Sequence, residues 1–592
     1  MHDLVIRGGT VIDGTGAPGR RADVAIDGDR IVAVGTVPGS GRREIDATGR
    51  IVTPGWVDMH THYDGQVSWD PHLTPSGWHG VTTVVMGNCG VGFAPCRVED
   101  RDWLINVMEG VEDIPGSALA EGINWDWQTF PEYMDAIERL PHSLDFAAQV
   151  PHSAVRGYVM GRKASEEENE ASAEQIAEMK AIVKESLEAG ALGFSTSRTT
   201  LHKTAEGVFV AGTFAERGEL IGIAEALGET GSGVFELADE HVMVPQDVEW
   251  LEQIATSTGR PVIFNLSQTD FAPELWKEGI AKLEAAVERG APLWAQAAGR
   301  AIGIVMSWRT TAHPFALHPE WQKLSLLPWH EHLAALRNPA VRARILADTP
   351  EERGVFEAYV TQTFNKMYPL EAGYEPSADQ SVAALAAARG LTPQEVAYDA
   401  MLADNGEAAL YFPLFNYTDG NLDLLHTMHT HPRVLMGLSD GGAHCGAICD
   451  SGMPTFMLTH WTRDRARGEK LPLEYIVMRQ TSQTAQFYGL NDRGVLAPGY
   501  KADVNVIDYD RLHLQAVELV HDLPAGGRRL TQRAVGYDYT ICTGVVTMEH
   551  GVPTGEMPGK LVRGEQPVPG DAPVPTRRPG VEMPRDARLG AK

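Results

Sequence analysis

The sequence predicts an α/β protein: a (β/α)8 TIM-like barrel with a small β-sandwich domain built from both chain ends. Two observations carry the barrel. Between residues 56 and 489, apolar strand-like runs alternate with helical patterns, which is how repeated βα units read. Eight of these runs end at Asp58, Met86, Val150, Ser195, Leu237, Asn265, Ala295 and Gly437, the strand number of such a barrel. A third observation carries the smaller domain: residues 1–55 and 490–565 both consist of short strands and turns, and two β-rich ends flanking a long middle are expected to pair.

In chain order, the first 50 residues give "DLVIRGGTVIDG", "ADVAIDGDRIVAVG" and "REIDATGRIVTPG". Gly8-Gly9 and Asp27-Gly28 read there as hairpin signals between alternating apolar residues. The middle holds helices such as "SAEQIAEMKAIVKESLEAGALG", with Ile176, Met179, Val183 and Leu187 on one stripe and Gly190 at the position after the C-cap. About 300–425 is too long for one βα connection and is read as an insertion near the barrel mouth. Its Trp308, Phe315 and Trp321 would either line an apolar acyl or aryl pocket or form the insertion's own core. The late strands return in "GVLAPGYKADVNVIDYD" and "YTICTGVVTMEHGVPTG". Residues 566–592, rich in Pro and Arg, are expected to be an extended tail.

Composition bounds the function. The 592 residues carry a formal charge of −29, which opposes nucleic-acid binding because phosphates would be repelled. Five cysteines are too few, and odd in number, for a disulfide scaffold. There is no signal-peptide pattern and no apolar run long enough to span a membrane. The expectation is a cytoplasmic protein with a small-molecule substrate, no membrane or nucleic-acid partner, and a possible homo-oligomeric state.

Catalysis in such barrels sits at the C-terminal strand ends, so the residues there are the candidates. "IVTPGWVDMHTHYDG" puts His60 and His62 after the first strand, two residues apart and therefore on one side. The second gives Cys89, the third His152 and Arg156, the fourth Ser195-Thr196-Ser197, the fifth Glu236 with His241 beyond it, the sixth Asn265 and Gln268, and the seventh Gln296. The eighth gives Asp440, followed by His444. Two His, a Cys and an Asp at separate strand ends form a plausible zinc constellation. Taken singly, each has a bland reading: His-x-His is common, a lone Cys is usually a small buried hydrophobe, and Asp-Gly-Gly is usually a turn.

"PGWVDMHTHYDGQ", "GVTTVVMGNCGVGFAP", "GALGFSTS" and "GLSDGGAH" resemble the amidohydrolase superfamily, and the GNCG segment resembles its D-aminoacylase (N-acyl-D-amino-acid deacylase) branch. The resemblance implies a metal-dependent hydrolase of a C–N amide bond. His60 and His62 would be metal ligands, Cys89 a thiolate ligand, and Asp440 both ligand and general acid/base. One or two zinc ions per chain are implied. His152, Arg156, Glu236 and His444 are candidate substrate contacts. The Ser195-Thr196-Ser197 stretch agrees with the cysteine-using branch, since other members place a carboxylated lysine after strand 4.

Two departures stand out. The branch normally has a histidine after strand 5 and another after strand 6, where this chain has "GVFELADEH" and "PVIFNLSQTD". It also has an arginine soon after the strand 8 Asp for the substrate carboxylate, where this chain reads "GGAHCGAICDSGMPT". Opening of a cyclic amide, a lactone or an ester at the same site is an alternative chemistry. A degenerate barrel that binds without turnover is an alternative of another class.

Overall fold

The computed structural model describes residues 1–167, 169–351, 354–437 and 439–570; the expected tail lies outside the described residues from 571 onward. The chain opens with β1 (His2–Val11), β2 (Arg20–Asp27), β3 (Arg30–Gly35), β4 (Gly41–Asp46) and β5 (Ile51–Pro54). The Asp27-Gly28 signal is a hairpin joining β2 to β3, with Gly28 at φ +57°. Gly8-Gly9 is not a hairpin. It lies inside β1 as a bulge, with Gly8 at φ +66° and a register shift between Ile6 and Gly9 against β2. A bulge bends a strand and increases its twist. On one side of the bend β1 pairs in parallel with β4, and beyond it with β5.

The eight central strands follow: β6 (Trp56–Asp58), β7 (Val81–Met86), β8 (Asp145–Ala148) with its continuation β9 (Val150–Pro151), β10 (Gly193–Ser197), β11 (Val234–Ala238), β12 (Val262–Asn265) and β13 (Leu293–Ala297). The eighth comes after the insertion. Neighbouring strands are parallel from β6 to β8 and from β9 to β13. Only Gln149 separates β8 from β9, and its amide donates to the Met86 carbonyl at 2.9 Å. The helix Ala173–Glu188 in the crossover to β10 begins at a Ser172–Gln175 capping box and buries Met179, Val183 and Leu187; Gly190 takes φ +106° just beyond its C-cap.

The insertion contributes β14 (Gly303–Met306), β15 (Tyr368–Pro369) and β16 (Leu410–Pro413), an antiparallel three-stranded sheet. Short helices cover it around a separate core that includes Met306, Trp308, Phe315, Tyr398 and Met401. Trp308 stacks on Phe315 at 5.3 Å and meets Tyr398 edge-on at 4.7 Å. Trp308 and Phe315 therefore help to hold the insertion together. The eighth strand, β17 (Val434–Met436), is parallel to β13. A parallel bridge from Thr61 to Gly441 and the His62 amide to the Gly441 carbonyl at 2.8 Å link its far end to the end of β6. This order and sense are those a (β/α)8 barrel requires.

Glu375 ties the insertion to the segment after β17. It stands 2.8 Å from His460 Nε2, accepts from Arg465 at 3.1 Å and accepts from the Leu422 amide at 2.9 Å. Burial would raise its pKa, but these partners outweigh burial and hold it at about 2. A depressed carboxylate adds stability above its unfolded pKa of about 4.3 and loses it as pH falls toward the folded value. Glu375→Gln is therefore expected to flatten the acid limb of the stability profile between those two pH values. Urea unfolding at stepped pH measures this.

The chain ends return with β18 (Val504–Ile507), the ribbon β19 (His513–Val520) and β20 (Arg529–Val535), then β21 (Tyr537–Cys542), β22 (Val545–Glu549) and β23 (Val552–Pro553). β18 pairs with β5 on one side and β21 on the other, joining both ends in one nine-stranded sheet. Strands from both chain ends thus share one hydrogen-bonded sheet. The Ile31 amide in β3 donates to the Tyr500 carbonyl just before β18 at 2.9 Å, and Leu4, Val24, Ile31, Val504 and Ile541 share one core. The bend at Gly8-Gly9 lets one long strand serve both halves. Among the described residues, no helix is long and apolar enough to cross a membrane.

Candidate metal centre

The centre is assembled by tight turns at the strand ends. After β7, Gly87 and Gly90 adopt φ of +81° and +68°. A Cβ at Gly87 would meet the Gln149 carbonyl at 2.3 Å, and one at Gly90 would meet the Thr196 backbone at 2.8 Å. Cys89 between them also has positive φ, at 56°. Asn88 fixes the turn by donating to the Thr61 and Val85 carbonyls at 3.0 and 2.9 Å. The result aims Cys89 Sγ at His60 Nε2, 3.3 Å away. After β17, Asp440 sits at φ 50°, and its amide donates to the His60 carbonyl at 3.2 Å.

His60, His62 and Cys89 present ligand atoms all within 4.8 Å of one another, and all three are buried. Asp440 Oδ1 lies 3.5 Å from the Nε2 of both histidines. A tetrahedral ion at ordinary zinc–nitrogen and zinc–oxygen distances spaces its ligand atoms roughly 3.4 Å apart. The donor set fits zinc in kind, and the His60–Cys89, His60–Asp440 and His62–Asp440 separations fit it in spacing.

The surrounding charge points the same way. Asp58, Asp64, Glu112, Glu236 and Asp440 cluster here, and none of them forms an ion pair with a lysine or arginine among the described residues. Burial pushes Asp58 and Asp64 up to about 7 and Glu236 up to about 8. It also raises the Cys89 thiol, with the nearby Glu236, Glu112 and Asp440 charges adding to the shift. For Asp440, burial is outweighed by the His62, His60 and His444 imidazoles, which hold it well below the usual carboxylate range. The two histidines diverge. Burial drives His60 down to about 3, whereas for His62 the carboxylates Glu112, Asp440 and Asp64 overcome burial and push it up to about 9. The carboxylates draw positive charge to this spot, in the form of a proton or a metal ion.

Of the residues singled out from sequence, the structure gathers His60, His62, Cys89, Asp440, Glu236 and His444. Glu236 accepts the Cys89 amide at 3.0 Å. His444 Nε2 stands 3.8 Å from Glu112. His152 and Arg156 both meet Glu219. His152 has Thr196 Oγ1 at 2.9 Å on one nitrogen and Glu219 at 3.0 Å on the other. Arg156 donates to Glu219 at 2.8 Å and to the carbonyls of Ala164 and Asn169. Both side chains thus share Glu219 as a partner.

Glu112 was not foreseen. It ends the helix Arg101–Glu112, is 1% exposed, and stands 3.1 Å from His62 Nδ1. An acid at a helix C-terminus opposes the macrodipole, and that is the one local signal for it: such a residue needs a cationic partner. Its position is that of a carboxylate orienting a ligating histidine. Glu112→Gln is expected to weaken zinc binding by about 10–100-fold, read by chelator competition. His202 was also missed; Ser197 Oγ holds its Nδ1 at 2.8 Å, and it lies within the field of His444, His62, His241 and Asp440.

Residues 43–548 match the sequence model of the amidohydrolase family. The chain belongs to that family. This amidohydrolase is 26% identical over 571 residues to the D-aminoacylase of Alcaligenes xylosoxydans xylosoxydans, covering 95% of this chain and 97% of that one. It is 28% identical over 577 residues to the N-acyl-D-glutamate deacylase of the same organism, covering 96% and 98%. A crystal structure of D-aminoacylase matches with a TM-score of 0.64 at 25% identity, over 96% of this chain and 100% of that one. A second D-aminoacylase structure, from a study of its binuclear metal centre, matches with a TM-score of 0.64 at 26% identity, over the same shares. This amidohydrolase is a divergent member of the D-aminoacylase branch and an enzyme acting on carbon–nitrogen bonds other than peptide bonds. Where the resemblance calls for histidines after strands 5 and 6, it has an acid–amide cluster. Gln296 Nε2 donates to Asn265 Oδ1 at 2.7 Å and lies 3.5 Å from Glu236 Oε1.

Proposed function

We propose that this amidohydrolase cleaves an N-acyl amide with one zinc ion held by His60, His62, Cys89 and Asp440 over the mouth of a closed (β/α)8 barrel. The observation that carries the proposal is that Cys89 Sγ lies 3.3 Å from His60 Nε2 and Asp440 Oδ1 lies 3.5 Å from the Nε2 of both His60 and His62, with the three strand ends meeting in a buried, anion-rich site. Zinc would supply Lewis acidity toward a water and toward the scissile carbonyl. Asp440 takes a proton from the attacking water and returns it to the leaving nitrogen. Water adds to the carbonyl carbon, the C–N bond breaks, and a carboxylic acid and an amine leave. Glu112 holds the His62 ring, and Glu236 holds the turn that presents Cys89.

Glu236 on strand 5 accepts the Cys89 amide and Asn265 on strand 6 accepts from Gln296, and these are the strands after which the resemblance would place further metal ligands, which supports a single ion. The test is a panel of N-acyl amides, cyclic amides, lactones and esters given to the zinc-loaded protein, with amine and acid both quantified. Equal release of amine and acid from linear amides is expected. Turnover confined to esters, lactones or cyclic amides would replace this reading with one of those chemistries.

A further inference from the structure

The loop after β10 carries an imidazole, His202, that the metal-ligand set leaves unused. Ser197, the last residue of β10, lies directly against the Cys89 turn. A Cβ on Gly90 would meet the Ser197 amide nitrogen at 2.9 Å, and the Gly90 amide donates to Ser195 Oγ at 3.0 Å. Ser197 Oγ stands 2.8 Å from His202 Nδ1. The backbone fixes the base of the ring as well. The His202 amide donates to the Thr199 carbonyl, and the His202 carbonyl accepts from the Val210 amide, both at 3.3 Å. Thr200 is bound to Glu240 through its amide and, at 2.6 Å, through Oγ1, which ties the loop to the residues after β11. His202 is thus held from the end of strand 4, beside a ligand-bearing turn, on the strand-end face where catalysis in such barrels sits.

The other non-ligand imidazoles described above are turned to acids. His241 Nδ1 is 3.7 Å from Asp239, His444 Nε2 is 3.8 Å from Glu112, and His152 Nε2 is 3.0 Å from Glu219. Among the described residues, the His202 ring has a hydroxyl as its hydrogen-bond partner on Nδ1 and none on Nε2. A hydroxyl that donates to Nδ1 leaves the ring hydrogen on Nε2. The ring is also kept neutral. Burial drives it down to about 3, with the His444, His62 and His241 imidazoles adding to the shift, and a cation at the centre would act in the same sense. A neutral imidazole can donate to a carbonyl oxygen as charge builds there without giving up its proton, which is the work of an oxyanion donor.

We propose that His202 is a catalytic residue whose Nε2–H donates to the scissile carbonyl oxygen and stabilises the negative charge which that oxygen takes in the tetrahedral intermediate. Ser197 is its positioning residue. No bond to His202 forms or breaks: the proton of the attacking water passes to Asp440 and then to the leaving nitrogen. The inference rests on the amide-hydrolase reading and adds to it a group that the metal-ligand pattern does not contain.

The test uses the zinc-loaded parent, His202→Ala, and His202→Gln, whose side-chain amide restores an N–H donor. With the N-acetyl amides of the panel and p-nitroacetanilide, kcat is expected to fall about 100-fold in His202→Ala with KM little changed, and His202→Gln is expected to recover part of the loss. A second readout is free of turnover. Isothermal titration with methylphosphonate, a tetrahedral anion of the size of a hydrated acetyl group, is expected to show at least about tenfold weaker binding in His202→Ala, with zinc per chain equal in all three proteins. Parental kcat in His202→Ala, or the same methylphosphonate affinity in parent and variant, would overturn the inference and leave the hydrolase reading standing. A raised KM at parental kcat would also overturn it, because the contact would then belong to the ground state. Loss of zinc from His202→Ala and His202→Gln alike would overturn it by making His202 a support of the metal centre. Absence of amide turnover by the parent would sink the hydrolase reading and this inference with it.

Discussion

Asp440→Asn is expected to lower kcat by roughly 10²–10⁴-fold while the chain still folds. The amide keeps the size and most of the polar contacts of the carboxylate but cannot accept the proton of the attacking water. Oδ1 also faces both ring nitrogens at 3.5 Å, so part of the loss would be weakened metal binding. Assay in excess zinc, with metal content measured on the same sample, separates the two contributions. Circular dichroism should match the parent protein. Near-parental kcat in the fully loaded variant would remove Asp440 from the chemistry.

Cys89→Ala is expected to cost more in metal affinity than any change to the groups behind the ligands, about 100-fold or more. The Cys89 thiol is buried among carboxylates that oppose its ionisation, and a bound cation is what would stabilise the thiolate there. Cobalt substitution gives a direct readout: the parent should show a near-ultraviolet thiolate-to-cobalt band, and the variant should lack it. An unchanged cobalt spectrum would return Cys89 to the role of a small buried hydrophobe, supported by its turn and not by a ligand.

Much of the centre was legible because barrel geometry converts a local pattern into a place. His60 and His62, Cys89 and Asp440 each follow an apolar run, and each lies in a stretch with its own glycine-rich turn. What the pattern could not supply was the partner across the fold. His152 and Arg156 also follow a strand, and their shared partner Glu219 lies on the helix Arg217–Thr230, where no local pattern points to it. Glu112 is equally silent, since the contact with His62 spans fifty residues of unrelated sequence. In the insertion, aromatic content was visible but its depth was not: Trp308 and Phe315 are buried in a core, while Phe356, Tyr359 and Phe415 pack against that core and are only partly buried. Short helices carry too few turns for periodicity to decide between the two. Gly8-Gly9 shows the same limit in a strand, where a bulge and a hairpin use the same residues.

The departures from the branch now have a physical form. Glu236 is committed to the Cys89 amide, and Asn265 to Gln296. These groups bond to each other or brace the Cys89 turn, and the single-ion proposal rests on that. This makes the account specific about stoichiometry. The most direct test is zinc per chain, by elemental analysis of protein purified without added metal or chelator and again after zinc is offered and excess removed. The account predicts about one ion per chain in the loaded protein, lost in Cys89→Ala. Two ions would contradict the single-site reading, and none after loading would contradict the metal-dependent mechanism itself.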